Sequence, residues 1–276
     1  MLTVRRLKVD LARGFGRRWL GGDACRTQFF NALSMSFPIG EQMFIDSVRA
    51  APRERLHGLH ADVDNFIGQE ASHRHLHLEY NRQLERQGLS FVVGPAQLRR
   101  VRFMERRDVR SRLAVTAAFE HYTALLADGV LRRPAWLDGA EAPMRTLWMW
   151  HAAEETEHKS LAFDVYRALG GGYWRRVLWY LQVSFMFSLD TAIQTTHNLY
   201  RDGSLFKATT WFSGLKLWFG RQGLAWHMLP PMLEYLAPSF TPWQHDNRDL
   251  ARHWLEQNAG AWQAVGRAPV APENNA

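Results

Sequence analysis

The sequence has almost no cysteine: a single one, Cys25, among 276 residues. One thiol excludes an internal disulfide framework and fits a reducing compartment. Long apolar runs are missing as well. A helix that crosses a bilayer needs roughly 18 or more uncharged apolar residues. The nearest stretch, "VLWYLQVSFMFSL" at 177–189, stops at Asp190. At that length a buried core helix or an interfacial segment is the expectation. The opening "MLTVRRLKVDLARGFGRRWLGG" is basic but has no apolar h-region, so no secretory signal is expected despite the Arg5-Arg6 pair. No strand-like alternation is visible, and no repeat with a period of 20–50 residues. Gly-x-Ser-x-Gly and a nucleotide-binding glycine loop are both absent. These absences suggest a cytoplasmic protein, with peripheral contact at the inner face of a membrane as an option.

What is present is 46% hydrophobic residues, enough for a sizeable core, and twelve tryptophans, many for this length. The rings suit a core, a substrate pocket or anchors at a membrane interface. The net charge of +7 comes largely from arginine. It points to an anionic surface or ligand, and no nucleic-acid partner is expected. A second copy of the chain is a further option as partner.

The patterning is helical throughout, so the expected fold class is all-α. Residues 1–29 read as a basic N-terminal segment and 30–172 as a four-helix bundle. Residues 173–255 read as an aromatic-rich helical extension packed on that bundle, and 256–276 as a flexible tail. Pro38 stands where the first helix is expected to begin. The second run is helix-compatible from Pro52 to Gln87 and stops at Gly88. The third is expected to end at Gly129, and the fourth runs from near Pro143 to the glycines 170–172.

That fourth run holds the densest chemistry, in "WHAAEETEHKSLAFDVY". At about 100° per residue, with His151 as origin, Glu154 falls near 300°, Glu155 near 40° and His158 near 340°. Four ionisable groups thus share the face that Leu147 and Ala162 continue, while Glu157 faces away near 240°. Unpaired carboxylates on a core-facing stripe cost several kcal/mol each or are forced neutral, and a bound dication removes that cost. Glu155-x-x-His158 directs one carboxylate and one imidazole at a single ion. "FIGQEASHRHLHLEY" repeats the device with Glu70 and His73, and Phe66, His77 and Tyr80 share that face.

Two further helices then each need one inward glutamate. Glu41 and Glu120 supply them, Glu120 on a small apolar face formed by Leu113, Thr116, Ala117, Ala124 and Ala127. Twenty-eight residues separate Glu41 from Glu70 and 34 separate Glu120 from Glu155, each suited to an antiparallel helix pair. The expected metal ligands are Glu41, Glu70, His73, Glu120, Glu155 and His158, the scheme of four-helix carboxylate-bridged dimetal proteins. By analogy Glu70 and Glu155 bridge the ions and carry the catalytic role, while Glu41 and Glu120 are terminal. His151 and His77 are read as supports or extra ligands, with a packed core histidine as the equal alternative, and Glu154 as a group that hydrogen-bonds a ligand or replaces Glu155 as one. His57, His60, His75 and His121 are expected in solvent, Glu157 and Lys159 at the surface.

This pattern resembles the ferritin-like superfamily. More narrowly, Trp150, His151, Glu154, Glu155, Glu157, His158 and Lys159, followed by Ala162 to Tyr166, resemble a bacterial family labelled predicted metal-dependent hydrolases. "APSFTPWQHDN" is similar to that family's Pro-Gly-Phe-His-Pro-Trp ending and departs from it at Ser239 and Thr241. The resemblance spans roughly residues 30 to 250 and implies a metal-dependent enzyme.

Carboxylates with two histidines suit two iron ions, with manganese or zinc as alternatives. The leading expectation is an oxygen-activating oxidase or oxygenase acting on a small hydrophobic substrate. Second stands a hydrolase that uses metal-activated water. Third stands a metal-storing or redox-sensing bundle without catalysis. Tyr80 and Tyr122 have both redox and plain packing readings.

Overall fold

A computed structural model describes residues 2–265. Among them the fold is all-α. Ten α-helices are joined by short turns, and the only sheet is a two-stranded antiparallel pair, β1 (Arg5–Leu7) with β2 (Trp262–Ala264). Helix α1 spans Ala24–Arg49, and the Asp23 side chain caps it by accepting from the Arg26 N–H at 3.0 Å. It does not begin at Pro38 but passes through it. Proline leaves the carbonyl four residues earlier without its helical donor. That carbonyl, on Ser34, instead accepts from Asn81 Nδ2 at 2.8 Å. A side chain of the next helix thus replaces the missing bond, which sequence spacing alone does not reveal.

Helix α2 (His60–Arg86) follows a single 3-10 turn at Arg53–Arg55 and ends as expected at Gly88. Gly88 has φ +83°, and the Leu89 N–H reaches back to the Leu84 carbonyl at 3.0 Å, a left-handed terminus that glycine adopts without strain. Helix α3 (Gly94–Glu105) makes the crossover to α4 (Val109–Arg132). Gly129 does not stop α4; it lies within it, where a Cβ would run into the Trp136 ring. The glycine marks a close approach rather than an end.

The fourth run divides into α5 (Ala142–His158) and α6 (Leu161–Ala168). Lys159 and Ser160 keep right-handed helical dihedrals across the step, so no turn residue announces it. Helices α7 (Tyr173–Arg201), α8 (Ala208–Phe219), α9 (Leu224–Glu234) and α10 (Arg248–Gln257) complete the chain.

Helices α1 and α2 pack together, α4 and α5 pack together, and α1–α4 and α2–α5 contacts close the ring. α7 lies along α1 and α4, α8 on α1, α9 on α4 and α10 on α5. Before α1, Trp19 and Leu20 are buried in the core, so the basic N-terminal segment is part of the packed body. The tail expected from residue 256 instead finishes α10 and forms β2, and only 266–276 lie outside the described residues. No described helix is long and apolar enough to cross a membrane.

Candidate metal centre

The ring of α1, α2, α4 and α5 encloses the ionisable stripes of all four helices. α2 presents Glu70, His73 and His77, and α5 presents His151, Glu154, Glu155 and His158; α1 adds Glu41 and α4 adds Glu120. Every one of these side chains is buried. The helical period puts them inward, since the flanking positions Phe66, Leu113, Leu147 and Ala162 must face the core.

One donor group joins α2 to α5. Atoms of Glu70, His73, Glu155 and His158 lie within 4.8 Å of one another. His158 Nε2 stands 3.1 Å from Glu70 Oε1, 3.5 Å from Glu120 Oε2 and 3.6 Å from Glu155 Oε2. His73 Nδ1 stands 3.4 Å from Glu155 Oε1. A second group adjoins it: Glu41, His77 and His151 offer donors within 4.8 Å of one another. Glu155 faces both, because its Oε1 is also 3.1 Å from His151 Nε2. Glu41 therefore keeps company with two imidazoles that the spacing argument had put in supporting roles.

The orphaned atoms test whether an ion fits. Both oxygens of Glu41, Glu70 and Glu120, with His73 Nδ1, His158 Nε2 and Glu155 Oε2, are buried without an aligned hydrogen bond, despite the short separations above. Buried polar atoms are nearly always satisfied. Here donors from four helices converge unsatisfied on one place, the arrangement that a dication of mixed oxygen and nitrogen preference would satisfy. The residues fit two ions.

Around these atoms lies a supporting layer of hydrogen-bonded side chains. Glu154 Oε2 accepts from His73 Nε2 at 3.1 Å, and its Oε1 takes Arg5 Nη1 at 3.2 Å. Arg5 also binds Glu157 at 2.6 and 3.0 Å, and Gln69 donates to Glu157 at 3.1 Å. Gln69 Oε1 accepts from His158 Nδ1 at 3.1 Å. On the other side His77 Nε2 meets His151 Nδ1 at 2.7 Å, and Ser34 Oγ holds His77 Nδ1 at 2.9 Å. His73 and His158 thus each have one nitrogen fixed from behind, which sets their orientation, whereas both nitrogens of His77 are engaged.

Electrostatics follow from burial. Desolvation pushes Glu41 well up, and the neighbouring Glu70 charge adds to it. Desolvation also raises Glu120 well up and Glu70 less, with His158 opposing in both. Glu155 goes the other way: burial works against ionisation, but His158, His151 and His73 hold it well below the usual carboxylate range. Burial lowers His73, yet Glu154 and Glu155 outweigh it and lift the ring to about 10. His158 is likewise held well above the ordinary range by Glu120 and Glu155 against its burial. Burial and then the neighbouring His73 charge bring His151 to about 4, and burial with His151 depresses His77.

A cavity of about 120 Å³ reaches this centre from the surface. Its inner end is Glu41, His151 and Glu155; its walls include Phe37, Phe44, Phe119 and Phe187, and its outer end lies between α3 and α7 at Arg100, Phe103 and Gln182. Of the Trp-rich second half, α7 alone lines this cavity, through Trp179, Gln182, Met186, Phe187, Asp190 and Thr191.

Several residues stand elsewhere than expected. Glu157 is half-buried against Arg5, and Lys159 is buried, donating to the His245 carbonyl and Asn247 Oδ1. His121 is buried and meets the Pro231 carbonyl at 3.1 Å, whereas His57, His60 and His75 are exposed. Tyr80 donates to Asn31 at 2.7 Å within the core. Arg5 and Gln69 carried no sequence signal, since neither lies in a motif and both reach the site only through tertiary contact.

No curated protein and no solved structure matches the chain. The model of one family, described as predicted metal-dependent hydrolase, matches residues 3–246. That match takes in all four helices that carry the candidate ligands, and with it the chain belongs to the predicted metal-dependent hydrolase family.

Proposed function

We propose that the chain is a metal-dependent enzyme with a dinuclear centre, preferably of iron, that uses dioxygen to oxidise a small apolar substrate. Glu70, His73, Glu120, Glu155 and His158 would hold one ion, and Glu41, His77 and His151 the other, with the Glu155 carboxylate facing both. The observation that carries the reading is the cavity, which ends on Glu41, His151 and Glu155 and is walled mainly by aromatic and aliphatic side chains.

Two bound ferrous ions would supply two of the four electrons that reduction of dioxygen to water needs, with the substrate giving the other two and an external reductant restoring the ferrous state, whereas zinc would supply Lewis acidity alone. The protein's own part is to hold, position and exclude. Phe37, Phe44, Phe119 and Phe187 would seat the substrate by apolar contact and keep water away. A cavity of about 120 Å³ suits a group near the size of benzene, by comparison with an engineered apolar cavity of about 150 Å³ that binds it. Ser34 Oγ would fix the His77 ring through Nδ1, leaving Nε2, which meets His151 Nδ1 here, as the atom it offers an ion.

Hydrolysis is the second reading, and the family description favours it. Two metal ions activate water and stabilise a developing oxyanion, but most of the surface lining this cavity is apolar, with Gln97, Arg100 and Gln182 among its polar exceptions. Metal exchange under anaerobic conditions separates the two. On the oxidative reading, the ferrous form consumes oxygen and the zinc form does not turn over. Full activity of the zinc form without oxygen, on an apolar ester, would replace that reading with the hydrolytic one.

A further inference from the structure

The outer face of α7 is apolar and has no partner among the described residues. Trp174, Leu178, Leu181, Phe185, Leu189 and Ile193 recur every three or four residues, and all are exposed. Six such positions form one stripe roughly 28 Å long at 1.5 Å per residue. The chain continues through Phe206, 88% exposed, into α8, where Trp211, Phe212, Leu215, Trp218 and Phe219 are exposed too. Solvated surfaces seldom carry so continuous an apolar area.

Charge identifies what covers it. Between residues 173 and 233 the only acidic residues are Asp190 and Asp202. Asp190 pairs with Arg100, and Asp202 pairs with Arg17 and Arg18. Arg201, Lys207, Lys216 and Arg221 are exposed in the same stretch, and Arg99, Arg102, Arg106 and Arg107 are exposed in and just after α3. Apolar rings among cations, with tryptophans at the border, complement an anionic lipid surface. No described helix is long and apolar enough to cross a membrane, so contact of this face with a bilayer would be peripheral.

The cavity mouth adjoins this stripe. With Leu178 as origin, the exposed residues of α7 occupy roughly 300° to 60° of the helix, and Trp179, Gln182 and Met186, which line the cavity, fall near 100°, 40° and 80°. The entrance therefore opens at the stripe's edge, between α7 and exposed Phe103 of α3. We infer that the α7–α8 face docks on an anionic phospholipid bilayer and that the cavity takes its apolar substrate from the lipid phase. The docking stands on the surface alone; the substrate supply rests on the function proposed above.

The test is flotation of the full metal-loaded chain with vesicles of phosphatidylcholine alone and with 30% phosphatidylglycerol. The expected result is binding to the anionic vesicles, weakened by salt, with at least a tenfold fall in partitioning for Phe185→Glu and for Phe212→Glu. Both positions are exposed, so helicity and metal content should stay as in the parent, and those two measurements are taken in parallel. Absence of binding to anionic vesicles overturns the docking, and so does binding by both variants equal to the parent's. A dimer in light scattering that both variants dissociate, with no vesicle binding, assigns the face to a second copy of the chain and overturns it as well. Vesicle binding is independent of turnover, so failure here leaves the metal chemistry standing, and failure of that chemistry leaves the docking standing.

Discussion

Glu154→Gln isolates the layer that orients the centre from the ligands themselves. The native carboxylate accepts at both oxygens, from His73 Nε2 at 3.1 Å and from Arg5 Nη1 at 3.2 Å. Glutamine keeps the shape but offers one acceptor and one donor. Whichever way the amide turns, its NH₂ then faces either the His73 N–H or the Arg5 guanidinium, and one buried contact is lost. Arg5 retains Glu157, so the amide can turn its NH₂ to Arg5 and its oxygen to His73. His73 then keeps an acceptor but loses its anionic partner. Partners of metal-bound histidines are worth about 10–100-fold in metal affinity, which is about 1.4–2.7 kcal/mol. The assay is competition titration of ferrous or manganous ion against a chromophoric chelator, with Glu157→Gln as the comparison. Glu157 touches no ligand directly, so its variant should lose less than about threefold. Thermal unfolding of both variants checks that the fold is intact. If Glu154→Gln bound metal within twofold of the parent, the reading of Glu154 as the group that orients His73 would be refuted.

Removing metal by dialysis against a chelator should lower the melting temperature, because the unsatisfied oxygens of Glu41, Glu70 and Glu120 then have only protons to neutralise them; an unchanged melting curve would contradict any contribution of the ions to stability. Asn81→Ala should destabilise by about 1–3 kcal/mol, the cost of an unpaired buried carbonyl, since it strips the Ser34 carbonyl of its donor beside Pro38; a chemical-denaturation midpoint equal to the parent's would show that water replaces the amide. Burial, aided by Asp23, raises the Cys25 thiol to about 11. Its disulfide-exchange reaction at pH 8 should therefore run about 100-fold slower than in the unfolded chain, at tenfold per pH unit of thiolate fraction, and equal rates would contradict the burial. The sign for stability follows: an acid with a raised folded pKa favours the folded state below its unfolded pKa, and that contribution fades as pH rises through about 11.

Helix period alone made the candidate metal centre legible. The Glu-x-x-His pairs at Glu70 and Glu155, with the lone Glu41 and Glu120, required only that apolar neighbours face a core, because 100° per residue then fixes where a carboxylate must point. The all-α class followed from the same period. Other features depended on residues distant in sequence. Helix α1 passes Pro38 because Asn81 comes from α2 to satisfy Ser34, and α4 passes Gly129 because Trp136 packs there. His77 and His151 group with Glu41 only once α1, α2 and α5 are brought together, since a donor set is a property of distances between helices. Arg5 reaches Glu154 from 149 positions away and carries no motif of its own. A helix's own sequence decides which face is buried, and the packing of several helices decides which buried groups meet.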